Sequence, residues 1–320
     1  MSVFRNCILI ILISFYINTI NAQPLPAKPV SYRIYSPHIL NPAIAGSKDF
    51  ASLNFIAAFQ NGPSSQVISV EGRIIKKGNT YFATGRNREF SKIAVGATFF
   101  NDLNGISVNK GGAALISWHF PLSRNRLSYI SAGVSVKGVF NTLDYGNSED
   151  SLSSRPSKES IFPNLDAGIY YYSKNLFAGF SINNLFGNPG TIDSLGNYEI
   201  PVSMKSYLTA GFKVMLLPSM NMVLEPSVLL EFDRYDLGDP GLVVQPMLKL
   251  YLEDFCFGMF FYDMDYHSFF FQYRYPGFYL GAYYGIKKNS TYFLNDPLVE
   301  IMFGLNLSRK GFRVSRPSHW

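Results

Sequence analysis

The chain has 320 residues, of which 47% are hydrophobic and 16% aromatic against only 16% charged, and its net charge is +6. This is too apolar and too poorly charged for an ordinary soluble domain of its size, yet mean hydropathy is only +0.06 and no stretch beyond the N-terminal leader reaches the apolar length of a membrane helix. Both facts are reconciled when apolar residues occupy every second position of β-strands, as in an antiparallel barrel whose outer face meets lipid.

Residues 1–22 read as a cleaved secretory signal. Arg5 supplies the positive start, Cys7 to Ile17 form an apolar run shorter than the ~20 residues of a span, and Ala22 is the small residue before the cut. Cleavage leaves Cys256 as the only thiol, so no intrachain disulfide forms and stability must come from backbone pairing and burial. Residues 23–50 are expected as a periplasmic N-terminal segment. Within it Pro42 fixes its own φ and biases Asn41 toward extended geometry, while Gly46 permits a positive φ, so the chain can turn sharply into a first strand near Ala51. The expected role is a plug or hinge; docking of a partner at Asn41, Pro42 and Gly46 is the alternative.

From residue 51 to 308 the pattern predicts 14 strands, at 51–60, 65–75, 92–101, 110–120, 129–140, 165–173, 176–184, 206–216, 221–231, 242–252, 254–262, 267–275, 278–286 and 299–308. In the fifth, Ile130, Ala132, Val134 and Val136 oppose Ser131, Gly133, Ser135 and Lys137; in the last, Ile301, Phe303 and Leu305 oppose Glu300, Gly304 and Asn306. A soluble sandwich also alternates, so the loops decide. With the N-terminus periplasmic, the tight connections at 173–175, 217–220, 253 and 276–277 fall on one side and the long ones at 141–162, 185–205 and 287–298 on the other, as in membrane barrels. One basic loop, 76–91, with Lys76, Lys77, Arg86 and Arg88, is long on the periplasmic side and is a candidate docking surface. Lys92, Lys137, Lys213, Glu300 and Asn306 are predicted to face the lumen and fill it with paired groups. Aromatic clusters at 170–172, 260–262, 269–271 and 283–284 read as interfacial girdles. Residues 309–320 read as a frayed tail.

Chemistry is scarce. His38, His119, His267 and His319 are far apart and form no zinc or nucleophile motif, and exposed loops account for them most simply. The acidic clusters Asp263, Asp265 and Glu231, Asp233, Asp236, Asp239 read as solvated turns, because neither spacing fits a calcium loop. We therefore expect no enzyme activity, no cofactor, no metal and no nucleic-acid binding; the membrane partner is outer-membrane lipid.

Three blocks carry a family resemblance. Asn41-Pro42-Ala43-Ile44-Ala45-Gly46 before a first strand resembles the N-P-A-x-A-G motif of the PorP/SprF family of type IX secretion system membrane proteins. Phe162 to Tyr171 leading into Phe177 to Leu185, and Thr209 to Phe212 leading into Leu224 to Leu230, are similar to the same family in order and spacing. Before the last strand, where the family often carries a glycine, serine, histidine and glutamate run, this chain reads Asp296-Pro297-Leu298-Val299-Glu300, and only the glutamate matches. The resemblance implies a non-enzymatic outer-membrane component that assists export or surface attachment of particular secreted proteins with a sorting C-terminal domain, such as gliding adhesins, or links the membrane to the periplasmic ring. It also implies other secretion components as partners, among them a peptidoglycan-associated periplasmic one. The residues alone leave open a transporter of small or hydrophobic solutes, or a passive surface adhesin.

Overall fold

The structure is a computed structural model and describes residues 31–48, 51–59, 64–74, 92–104, 107–123, 128–143, 158–186, 204–233, 241–262, 266–275, 277–287 and 298–307. It is a closed, 14-stranded antiparallel barrel. Strands β1 (Ser52–Phe59), β2 (Ser64–Arg73), β3 (Ile93–Asn104), β4 (Ser107–Ser123), β5 (Ser128–Leu143), β6 (Lys158–Tyr172) and β7 (Leu176–Asn183) pair in sequence. They are followed by β8 (Lys205–Phe212), β9 (Val214–Leu217), β10 (Met222–Asp233), β11 (Gly241–Leu252), β12 (Phe255–Tyr262), β13 (Tyr266–Arg274), β14 (Phe278–Lys287) and β15 (Leu298–Asn306). Closure is made by β15 on β1, with Ser52 opposite Asn306 and Phe59 opposite Val299.

The fifteen segments make 14 barrel strands because β8 and β9 are two halves of one. Both pair with β10 in a common register, Gly211 opposite Ser227 and Val214 opposite Leu224. This register sets Phe212, the last residue of β8, opposite Pro226, which has no N–H to give the ladder, while Lys213 between the two halves keeps its bond to the other neighbouring strand, its N donating to Asn175 O at 2.8 Å. This is where the expected single strand 206–216 is interrupted. Strands β4 to β6 are longer than expected, at 17, 16 and 15 residues.

Alternation sorts the two faces. Outward positions such as Phe55, Val136, Ile169, Phe269 and Ile301 are exposed and form an apolar belt, while their neighbours in sequence turn inward and are buried. The aromatic clusters follow the same rule, which corrects their reading as girdles. Phe269 and Tyr284 face out, but Phe260, Tyr262, Phe270 and Tyr283 point into the lumen and are buried there. Among the described residues no helix is long and apolar enough to cross a membrane.

The lumen is occupied by the chain's own N-terminal segment. Residues 31–48 form one turn of helix, α1 (Tyr32–Tyr35), and two 3-10 turns, Pro37–Ile39 and Pro42–Ile44. The segment expected in the periplasm at 23–50 therefore lies inside the barrel over its described part. Apolar Tyr32, Tyr35 and Leu40 pack against inward Ile56, Phe260, Phe270 and Met302. The signal at 1–22 and the tail at 309–320 lie outside the described residues.

Candidate functional site: the plug and its seat on the barrel wall

The plug has too few residues to satisfy its own backbone, so its carbonyls are capped by the wall. Ser181 Oγ donates to Leu40 O at 2.8 Å, Ser131 Oγ to Ala43 O at 2.7 Å and Ser117 Oγ to Ala45 O at 2.8 Å. His119 Nε2 lies 2.8 Å from the same Ala45 oxygen. Buried polar groups must be paired in this way, and small inward hydroxyls let the plug approach closely enough to do it.

Asn41 is the keystone of the lower turns. Its Oδ1 accepts from Ala43 N at 3.0 Å, capping the turn Pro42–Ile44, and its Nδ2 donates to Ile169 O at 3.0 Å and Phe180 O at 3.4 Å. The turn rests on inward glycines of three adjacent strands. A Cβ on Gly133 of β5 would stand 2.5 Å from Ala43 N, and one on Gly179 of β7 would stand 2.9 Å from Asn41 Nδ2. One on Gly168 of β6 would collide with Asn41 Oδ1. The blocks 41–46, 162–171 and 177–185, separate in sequence, thus meet as turn and floor.

Three ionic groups fasten the rest. Near the outer mouth, Arg33 Nη2 and Lys205 Nζ share Glu231 at 2.9 and 2.7 Å, and Gln245 receives Arg33 Nε at 3.0 Å while donating to Glu231 at 3.0 Å. Ser31 N donates to Glu300 Oε2 at 2.8 Å. At the periplasmic end, where Gly46 takes φ +75°, its N donates to Glu71 at 3.1 Å and its O accepts from Arg73 Nε at 2.6 Å. Lys48 Nζ lies 3.0 Å from Glu71. Burial alone would lower the Lys48 ammonium, but the Glu71 carboxylate outweighs it and holds Lys48 above the ordinary lysine value.

The predicted site residues divide accordingly. Asn41, Pro42 and Gly46 are buried, Asn41 Nδ2 and Gly46 bonding to the wall and the remaining groups closing turns of the plug. Lys76, Lys77, Arg86 and Arg88 lie outside the described residues. Lys137, Lys213 and Glu300 face the lumen as expected: Lys137 pairs with Asp166 at 2.6 Å and Lys213 with Glu225 at 3.4 Å. Lys92 has the inward parity but precedes β3 and is exposed, so it sits at the rim and not in the interior. Asn306 is half-buried at the end of β15, its N donating to Gly277 O at 3.0 Å. His38 and His119, expected on loops, are each 1% exposed in the lumen. His267 is half-buried on β13, and His319, Asp263, Asp265, Asp236 and Asp239 lie outside the described residues. Glu231, expected in a solvated acidic turn, is instead a strand residue 3% exposed, because β10 runs on through it and turns it inward onto Arg33. Glu71, Arg33 and the wall serines were not singled out because each reads locally as an ordinary polar position of an alternating strand or, for Arg33, of an aperiodic segment.

The match to the family described as type IX secretion system membrane protein PorP/SprF runs over residues 29–305, from just before the plug to the end of the last strand. No similar sequence was found among curated proteins. Several solved outer-membrane barrels are similar in outline only. The CymD monoaromatic hydrocarbon channel shows 12% identity and TM-score 0.44 over 89% of this chain and 93% of its own. The outer membrane protein Omp33 of Acinetobacter baumannii shows 9% and 0.41 over 82% and 99%. The KdgM porin shows 8% and 0.37 over 80% and 99%. With the barrel wall, its apolar belt and the seated 41–46 turn in place, the match identifies the chain as a member of the PorP/SprF family, an outer-membrane barrel of the type IX secretion system.

Proposed function

We propose that this barrel works by binding and not by conducting or catalysing. It assists export or surface attachment of particular secreted proteins, gliding adhesins among them, that carry a sorting C-terminal domain, and it ties the outer membrane to the periplasmic ring. The observation that carries this reading is a lumen occupied by the chain's own plug. Inward polar side chains right around the barrel, Asn54, Ser69, Ser117, Ser181 and Gln245, are all 0% exposed. An open aqueous channel would leave them wet. A wall filled by its own plug has its loops and rims left for work, the outer loops for a secreted partner and the basic 76–91 loop for a periplasmic one.

The test compares surface and secreted proteomes of wild type, a clean deletion and a complemented strain. Selective, complemented loss of one or a few surface proteins is expected. A general secretion block would make it a core part of the machine instead, and an unchanged proteome would refute the proposal.

A further inference from the structure

The outward face of β3 to β5 carries an open groove of about 720 Å³. Its floor consists of positions without a side chain. Gly112 of β4 lies opposite Gly138 of β5, and a Cβ on Gly138 would meet nothing within 4 Å. Its walls are the rings of Phe99, 62% exposed, and Phe140, 52% exposed. Neighbouring strands lie about 4.8 Å apart, so the bared backbone between the two rings is a furrow on the scale of one extended hydrocarbon chain.

The furrow ends in polar groups. Asn101 and Lys110 are paired across β3 and β4, one outward position beyond Phe99 and Gly112, and both line the groove. Lys110 is ten residues from Phe120 on the same face of β4, a height of about 25 Å at about 3.3 Å per residue and a tilt of about 40°. That is the height of the apolar belt of such a barrel. With Phe120 near its periplasmic margin, Lys110 stands at its outer margin, at the level of the lipid headgroups. Asn101 Oδ1 is buried with no hydrogen-bond partner among the described residues, and no carboxylate among them pairs with the exposed Lys110. Hydrocarbon tails can offer neither a donor to the one nor an anion to the other. A headgroup that carries a phosphate beside an N–H or O–H offers both.

We infer that this groove holds one phosphorylated, N-acylated glycolipid of the outer leaflet, its phosphate on Lys110, a sugar N–H or O–H on Asn101 Oδ1, and an acyl chain along Gly112 and Gly138 between Phe99 and Phe140. The place of Lys110 at the outer margin selects this source, since the outer leaflet of such a membrane is built of phosphorylated glycolipid and the inner leaflet of phospholipid. The inference is independent of the secretion role proposed above.

The test is native mass spectrometry of the full-length protein extracted from outer membranes in mild detergent. One glycolipid per barrel is expected to survive washing that strips phospholipid. Added back to delipidated protein, monophosphoryl lipid A should bind at least tenfold more tightly than phosphatidylcholine, which has a phosphate but no donor, or glucosylceramide, which has donors but no phosphate. Lys110→Gln removes the charge, and Gly138→Leu fills the furrow from a position where a side chain has open space. Each should lower lipid A affinity at least fivefold while the folded, heat-modifiable band persists. No retained glycolipid, retention of phospholipid alone, equal binding of either control lipid, or undiminished binding by both variants would overturn the inference.

Discussion

Replacing Gly133 with alanine tests the seat of the plug directly. The new Cβ would stand 2.5 Å from both Pro42 C and Ala43 N, backbone atoms that have no rotamer to change, against ordinary carbon contacts of ~3.5 Å or more. Strand β5 is paired along both edges, so the plug must retreat, by about 1 Å. That displacement stretches the bonds of Ser131 to Ala43 O and Ser117 to Ala45 O, now 2.7 and 2.8 Å, beyond useful length. Overpacking costs about 1–3 kcal/mol and each of the two weakened hydrogen bonds about 1 kcal/mol, giving about 3–5 kcal/mol together. Gly138 is the matched control: it lies on the same strand facing out, and a Cβ there meets nothing within 4 Å. Urea unfolding in detergent, with proteolysis of the N-terminal segment as a second readout, should show Gly133→Ala destabilised and its plug cut faster, with Gly138→Ala close to wild type. Equal midpoints and equal cleavage for the two would refute the claim that the wall glycines carry the plug.

Glu231→Gln should destabilise by about 3–5 kcal/mol, because Arg33 is then left buried without its carboxylate, while Arg33→Met should cost less since Lys205 still pairs with Glu231; denaturant midpoints give the order. Asn41→Ala removes two donations to the wall and one turn cap, a loss of about 1–3 kcal/mol read in the same titration. Ile301→Arg, on the exposed face midway along β15, should cost about 2–4 kcal/mol in bilayer refolding assays, where a solvated face would leave it nearly neutral. Lys48 has its folded pKa raised above 10.5, so its contribution is fully present below that value and disappears as pH rises through the higher folded one. Wild type should therefore lose stability above about pH 10.5 more steeply than Lys48→Met, measured as the unfolding midpoint against pH.

The wall was legible because period two has few causes. All 14 predicted ranges find their strand, since a lipid belt and a polar interior force alternation at every residue. The misses have local reasons. Pro226 sits on a neighbouring strand, so reading 206–216 alone could not reveal the break at Lys213. Runs such as Phe269-Phe270-Phe271 look uniform in sequence, yet parity sends Phe270 to the plug and its neighbours outward. The plug was the least legible part: residues 31–48 have no period, and the partners of Asn41 lie more than a hundred residues away, at Ile169 and Phe180. Only the family blocks hinted at the seat, by quoting Gly168 and Gly179 without saying what lay on them.

The plug runs the length of the lumen. Arg33 is tied to Glu231 near the outer end of β10, and Gly46 to Arg73 at the periplasmic end of β2. Its outer end is held by the C-terminal half of the wall: Ser31 bonds to Glu300, Arg33 to Glu231 and Gln245, and Tyr35 to the carbonyls of Phe271 and Ala282. Those partners are the last strands in the chain, so the first residues of the plug can be seated only when the final strands are in place. For whatever machinery inserts this barrel, seating the N-terminal segment and completing the wall are coupled steps, and a mutation that weakens the seat is expected to slow insertion as well as to loosen the finished protein.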